Sequence, residues 1–175
     1  MLVVSLFLRG VDTDFGLEGE SGDAARALLA HGRHDTARTS WRLHHGDLRE
    51  ALVRETCLAD IVFWDPFSPK ANPDLWTVAA FADIRRAAAE HGTLFTYSAS
   101  TAVRTALLLA GWAVGVGESI GEKAQTTAAA VVAADLARPL DRGWLARLSR
   151  PDAPLPSDAP ADIIERIAAL DQFRC

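Results

Sequence analysis

The residues best suited to chemistry follow a short apolar run at which a β-strand would end. The run Asp60-Ile-Val-Phe-Trp is followed directly by Asp65-Pro66-Phe67. A carboxylate at a strand end, with backbone carbonyls nearby, can accept hydrogen bonds from an amine and keep the amine's lone pair aimed at a sulfonium methyl group. An aromatic ring can stack on the molecule that carries the amine. Asp65 and Phe67 therefore suit methyl transfer to an amine; the alternative is that Asp65 caps a turn and Phe67 belongs to the core.

Three prolines stiffen the loop after this strand. Pro66, Pro69 and Pro73 each fix their own φ, and each biases the preceding residue toward extended geometry. The sequence therefore predicts a preorganised loop next to Asp65.

A second candidate site is His45-Gly46-Asp47, after a predicted strand over 40–45. In a nucleotide-type pocket, the backbone of Gly46 and the carboxylate of Asp47 can meet an adenine edge. Asp47 is also an ordinary helix N-cap, and Glu50 three residues later would complete a capping box. Both interpretations stay open.

Several acids follow the first predicted strand, which covers residues 2–8. They are Asp12, Asp14, Glu18 and Glu20. A carboxylate at that strand end can bind ribose hydroxyls, although an acidic loop is usually only solvated. We take Asp12 as the candidate cofactor ligand, while the residues do not decide which acid would serve.

The elements that must position these residues alternate between short apolar runs and longer stretches of helical period. The predicted strands are 2–8, 40–45, 60–65, 93–98, 112–117 and 127–133, and the predicted helices lie near 21–32, 47–56, 77–90 and 99–110. This alternation is typical of an α/β fold with a mostly parallel sheet. Ligands bind beyond the carboxyl ends of such strands, where the candidate sites lie.

Capping residues and glycines set the expected ends of the third and fourth helices. Thr77 can accept a hydrogen bond from the first turn of the third helix. Gly92 would end that helix in a left-handed turn, and Gly111 would end the fourth helix in the same way. The apolar face of the third helix would consist of Val78, Phe81, Ile84 and Ala88.

The character of the chain changes after residue 135, where prolines predict a surface tail. A short amphipathic helix over 162–171 would dock this tail on the body of the protein. Its buried stripe would consist of Ile163, Ile164, Ile167 and Leu170. We therefore predict a domain over 1–135 and a C-terminal tail over 136–175.

Composition limits the class of protein. The chain has 175 residues, 49% hydrophobic and 23% charged, with 2 cysteines and a formal net charge of -5. These values exclude intrinsic disorder and a disulfide scaffold, and they argue against a surface that binds nucleic acid over its whole area. The N-terminal apolar run is far shorter than a membrane span, and no cysteine or histidine spacing matches a zinc site. We expect a cytoplasmic protein with no metal and no membrane attachment.

The stretch 65–76, DPFSPKANPDLW, resembles the signature D-x-F-x-P-x-x-N-P-x-x-W of the MnmC-type methyltransferases. That family methylates the aminomethyl group on a tRNA wobble uridine to form 5-methylaminomethyl-2-thiouridine. The matching positions are Asp65, Phe67, Pro69, Asn72, Pro73 and Trp76. Residues 92–98 and 103–112 resemble the family's next strand and helix, so that the resemblance covers about residues 40–133.

The resemblance implies a class I, Rossmann-like methyltransferase fold with S-adenosylmethionine as methyl donor and tRNA as acceptor. It implies that Asp65 is the catalytic residue, where cofactor and target amine meet, and that Gly46 and Asp47 lie near the adenine. The substrate-binding residues that it implies are Pro66, Phe67, Pro69, Lys70, Asn72 and Trp76, with Lys123 as a further RNA contact.

The chain departs from the family pattern in its first part. Residues 1–40 contain no match to the Gly-rich turn that wraps the cofactor in the family. Residues 2–8 align with the family's second strand, so that the first strand and its helix are expected to be missing, and residues 9–22 read as inserted.

Two further features bear on the acceptor. The turn 121–126 is less basic than in the family, whereas Arg138, Arg142, Arg147 and Arg150 stand against the single acid Asp141 and form either a phosphate-facing patch or a solvated surface. Two alternatives to tRNA methylation follow. The chain is either a family remnant that does not hold the cofactor tightly, or an amine methyltransferase with a different acceptor.

Overall fold

The computed structural model of the chain describes residues 19–118, 125–150 and 153–174. The chain forms two compact units, Met1–Ala51 and Leu52–Cys175. The predicted strand over 2–8 lies outside the described residues, and so do the candidate ligands Asp12 and Lys123.

The first unit contains a helix and a two-stranded antiparallel sheet. The helix is α1 (Gly19–His31), which confirms the helix predicted near 21–32. β1 (Arg33–Asp35) pairs with β2 (Ser40–Arg42). The strand predicted over 40–45 therefore ends early, because its partner begins directly after α1 and offers only three residues to pair with.

The second unit is built on a four-stranded sheet. Its strands are β3 (Ala59–Phe63), β4 (Ala88–Thr96), β5 (Ala113–Gly117) and β6 (Thr126–Ala130), in the spatial order β3, β4, β6, β5. β3 and β4 are parallel, whereas β6 is antiparallel to both neighbours. Because β6 is antiparallel to both β4 and β5, the strands β3, β4 and β5 all run in the same direction, so the predicted mostly parallel sheet is confirmed for the described strands, with β6 as the exception. The connection from β5 to β6 is too short for the crossover that parallel pairing requires.

Three helices accompany this sheet. α2 (Leu48–Arg54) contains the division between the two units. α3 (Val78–Arg86) begins at the N-cap Thr77, whose side chain accepts a hydrogen bond from the Ala80 N–H, as predicted. α4 (Thr101–Leu109) is capped by Ser100. α3, α4 and the sheet share one core, whose fully buried members include Phe81, Leu94, Leu107 and Val114.

The predicted end of α3 at Gly92 is wrong. The helix ends at Arg86, and Gly92 is a buried residue of β4. A Cβ atom on Gly92 would lie 2.9 Å from the Ala59 carbonyl oxygen, so that glycine allows β4 to approach β3 closely. Pairing with β3 overrides the helix propensity of the alanine run before Gly92. Gly111, with φ +86°, ends α4 as predicted.

The C-terminal segment packs on the second unit. Ile163 and Ile167 of α5 (Ile163–Ala168) are buried, whereas Ile164 is exposed, so the predicted stripe is wrong at Ile164. Gln172 follows the helix, and its Nε2 donates to the carbonyls of Val114 and Leu140 at 2.7 and 3.0 Å. The domain boundary at residue 135 stays a prediction.

Asp158 fastens the C-terminal segment to α3. Its two carboxylate oxygens accept hydrogen bonds from the N–H groups of Val78 and Ala79 at 2.9 and 3.0 Å. These are donors that the helix itself leaves unpaired, and the negative charge suits the helix N-terminus.

We expect Asp158→Ala to lower the free energy of unfolding by about 1–2 kcal/mol, because a capping carboxylate is lost. Chemical denaturation measures the change, with Asp171→Ala as the control, since the Asp171 side chain is 94% exposed. Equal losses in the two variants would contradict the capping role.

Within the described ranges, no helix is long and apolar enough to cross a membrane. In the same ranges, no group of three or more His, Cys, Asp or Glu side chains is placed to hold a metal ion.

Candidate active site

Asp65 lies at the carboxyl end of β3. The Trp64 N–H donates to the Phe95 carbonyl at 2.8 Å, which extends the pairing of β3 with β4 by one residue. The Asp65 side chain is exposed, and its Oδ1 accepts a hydrogen bond from the Tyr97 N–H at 3.3 Å. Its Oδ2 accepts no hydrogen bond from the described part of the chain. Asp65 is thus held by one oxygen and offers the other to a ligand.

Phe67 lies in a strained turn beside Asp65. Its N–H donates to the Asp65 carbonyl at 2.9 Å, and its φ of 60° falls in the left-handed region. That conformation costs a bulky residue about 1–3 kcal/mol and persists only where neighbours hold it. The Tyr97 hydroxyl donates to the Phe67 carbonyl at 3.0 Å and supplies such support. The Phe67 side chain is 53% exposed, so its ring is accessible for stacking rather than part of the core.

The loop after Phe67 is organised by side-chain and backbone hydrogen bonds. The Asn72 Nδ2 donates to the Pro66 carbonyl at 2.9 Å, and the Asn72 N–H donates to the Ser68 carbonyl at 3.0 Å. Pro69 and Lys70 lie exposed in the turn between them. Asn72 therefore fixes the loop from inside, while Lys70 presents its charge to solvent.

Tyr97 is a site residue that the sequence did not single out. It connects two parts of the site, since its N–H contacts Asp65 and its hydroxyl contacts Phe67. Burial raises the pKa of Tyr97, and the Asp65 charge raises it further, so the hydroxyl stays protonated and remains a donor. A usable signal was present: Tyr97 is the single tyrosine of the chain and follows directly after a strand.

Trp76 supports the loop from the core. Its side chain is 5% exposed, and its ring meets those of Tyr97 and Phe81 edge-on, with centroids 6.0 and 6.3 Å away. The indole N–H is buried and has no hydrogen-bond partner among the described residues. Because Trp76 is buried, it contributes to the candidate site by packing against Tyr97 rather than through an exposed face.

Gly46 and Asp47 belong to the first unit and Asp65 to the second. Asp47 Oδ1 accepts hydrogen bonds from the Arg49 and Glu50 N–H groups at 2.8 and 3.3 Å, which confirms the N-cap interpretation. Gly46 has φ +121°, and no atom lies within 4 Å of the position that a Cβ would take. The backbone at Gly46 is therefore open to a ligand.

The comparisons with known proteins agree with the class of chemistry that this site suits. A family model of S-adenosyl-L-methionine-dependent methyltransferases matches residues 25–132. The chain belongs to this methyltransferase family, and the resemblance to its MnmC-type members is confirmed.

Two relatives and one solved structure carry this conclusion. The tRNA 5-methylaminomethyl-2-thiouridine biosynthesis bifunctional protein MnmC of Aromatoleum aromaticum is 51% identical over 67 residues, which are 38% of this chain and 10% of that protein. The protein of the same name from Ralstonia nicotianae is 40% identical over 96 residues, 55% of this chain and 15% of that protein. The crystal structure of MnmC2 from Aquifex aeolicus has a TM-score of 0.65 and 29% identity over 87% of this chain and 52% of that chain.

These matches confirm the class I, Rossmann-like methyltransferase fold. The chain spans only a small part of the length of the curated relatives that it matches, and about half of the solved structure. The family uses S-adenosyl-L-methionine.

Proposed function

We propose that this chain binds S-adenosylmethionine and methylates an amine, namely the aminomethyl group on the wobble uridine of tRNA. The observation that carries the proposal is the exposed Asp65 carboxylate at the end of β3, held by Tyr97 through one oxygen and open at the other. Membership of the methyltransferase family and the similarity to proteins named for 5-methylaminomethyl-2-thiouridine biosynthesis support it.

Methyl transfer to an amine requires mainly that the amine is held in position and that its positive charge is removed, and Asp65 suits both tasks. Its open oxygen can accept a hydrogen bond from the amine N–H and orient the lone pair for in-line attack. The cofactor supplies an electrophilic methyl group on sulfur. As the new carbon–nitrogen bond forms and the carbon–sulfur bond breaks, positive charge develops on nitrogen, and the Asp65 carboxylate stabilises it. Because Asp65 is exposed, the released proton can pass to solvent.

The residues around Asp65 would hold the acceptor. The exposed Phe67 ring would stack on a base, and the exposed Lys70 would meet phosphate. Pro66, Pro69 and Asn72 would hold the conformation of the loop, and the buried Trp76 would support it from the core.

The cofactor contacts remain proposals from the resemblance. We propose that Gly46 and Asp47 contact the adenine of the cofactor and that Asp12 binds its ribose. Lys123 would be a further contact to RNA. A tRNA acceptor places the reaction in the cytoplasm.

Transfer of labelled methyl from S-adenosylmethionine to undermodified tRNA tests this function. We expect labelling of tRNA that carries a free aminomethyl group and none of tRNA whose wobble position is already methylated. Labelling of a small aminomethyl compound but not of tRNA would show a different acceptor. Absence of labelling on every amine offered would contradict the proposal.

A further inference from the structure

A polar cavity lies in the second unit, where α4 and β5 meet the segment 139–147. Its volume is about 290 Å³, and its polar lining side chains include those of Arg104, Gln125, Asp141 and Arg147. The segment is fixed along β5, because the Leu140 N–H donates to the Val114 carbonyl at 2.9 Å and the Val116 N–H donates to the Arg138 carbonyl at 2.8 Å. These two hydrogen bonds hold one side of the cavity against β5.

Arg104 is a buried cation without a carboxylate partner in the described part of the chain. Its side chain is 2% exposed; Nε donates to Thr127 Oγ1 at 3.0 Å, and Nη2 donates to the Thr126 carbonyl at 2.9 Å. Nη1 makes no hydrogen bond to any described residue. A charge buried in this way is costly unless an anion compensates it.

Arg147 adds a second positive charge to the same cavity, and its side chain is exposed. Burial lowers the pKa of Arg104, and the positive charge of Arg147 lowers it further. Two guanidinium groups thus repel each other across a cavity that holds only one described carboxylate, that of Asp141. Asp141 caps the turn that follows it, because its Oδ1 accepts a hydrogen bond from the backbone N–H of Trp144 at 3.2 Å, and its single negative charge stands against two positive charges.

Trp144 also lines the cavity, and its side chain is buried. The cavity therefore combines two positive charges with one donor, Arg104 Nη1, that makes no hydrogen bond to the described residues.

We propose that this cavity binds one phosphate group, with Arg104 and Arg147 as its ligands. Guanidinium forks match the oxygens of a phosphate and form short, charge-assisted hydrogen bonds with it. A phosphate would also relieve the repulsion between the two arginines.

Two hydrogen bonds lead from Arg104 to Ser98, which follows Tyr97 in the chain. Thr127 accepts from Arg104, and its Oγ1 donates to the Ser98 carbonyl at 2.6 Å, next to Tyr97. Because the proposed function has tRNA as acceptor, we assign the phosphate to the backbone of that RNA. The assignment to RNA rests on the proposed function, whereas the phosphate site itself does not. Free inorganic phosphate is the other ligand that the same two arginines could bind.

RNA binding by the full chain tests the assignment, with fluorescently labelled undermodified tRNA titrated over a range of salt concentrations. We expect Arg147→Gln to weaken binding about tenfold near 0.1 M salt and to reduce the slope of log K against log salt by about one. Arg150→Gln, which removes the same charge from an exposed arginine outside the cavity lining, should bind tRNA like the wild type. Unchanged melting temperatures show that both variants are folded.

The other outcomes separate the two proposals. Equal weakening by both substitutions would mean a diffuse basic surface and would overturn the phosphate site, while tRNA methylation could still stand. If tRNA does not bind, but inorganic phosphate raises the melting temperature of the wild type and not of Arg147→Gln, the cavity holds free phosphate and the RNA acceptor is wrong. If neither tRNA nor phosphate distinguishes Arg147→Gln from the wild type, the phosphate site is refuted.

Discussion

Asp65→Asn should lower the rate of methyl transfer by roughly a hundredfold or more, because the carboxylate that positions the amine and stabilises its developing charge is lost. The substitution keeps an oxygen that can accept from the Tyr97 N–H, so that the loop should stay in place. The melting temperature should therefore stay close to that of the wild type. Single-turnover transfer of labelled methyl to the amine acceptor measures the effect.

Asp60→Asn is the matched control for Asp65→Asn. Asp60 is an exposed acid on the same strand, and the same substitution there removes the same charge outside the site. We expect its turnover to equal that of the wild type. Normal turnover by Asp65→Asn, or an equal loss in Asp60→Asn, would show that Asp65 is not the catalytic residue.

Trp76→Ala should lower the free energy of unfolding by about 3–5 kcal/mol, since it empties a large buried site between Phe81 and Tyr97. Trp76→Phe is the matched control, because it keeps an aromatic ring and removes the buried N–H that has no described partner. We expect Trp76→Phe to cost less than about 1.5 kcal/mol. Denaturant unfolding measures both variants.

The signature alone placed Trp76 at the substrate mouth, which predicts weaker acceptor binding and little loss of stability on substitution by alanine. The burial of Trp76 instead favours a large loss of stability on substitution by alanine. If Trp76→Ala unfolds like the wild type and only raises the KM for the acceptor, Trp76 is a wall of the site and the packing account is wrong.

The candidate site could be predicted from the sequence where a local pattern determines the structure. The apolar run before Asp65 predicted a strand, and Asp65 does lie at its carboxyl end. Thr77 and Asp47 are the helix caps that their positions suggested, because capping depends only on neighbouring N–H groups. Gly111 ends its helix for the same local reason.

Features that depend on distant parts of the chain could not be predicted in this way. The run before Gly92 has strong helix propensity, but pairing with β3 draws it into β4. Arg104 lies within an apolar helix, so its sequence context indicates burial but not the lack of a described carboxylate partner. Tyr97 supports Asp65 and Phe67 from 32 and 30 residues away along the chain, and only the folded sheet brings them together.

The proposed function depends most directly on cofactor binding by this chain. Calorimetric titration of the purified 175-residue protein with S-adenosylmethionine, and separately with S-adenosylhomocysteine, measures it. We predict a micromolar dissociation constant for both compounds, which would mean that the chain forms a working pocket without the family's Gly-rich turn. The absence of binding at millimolar concentrations of either compound would contradict the account and favour a family remnant that does not hold the cofactor.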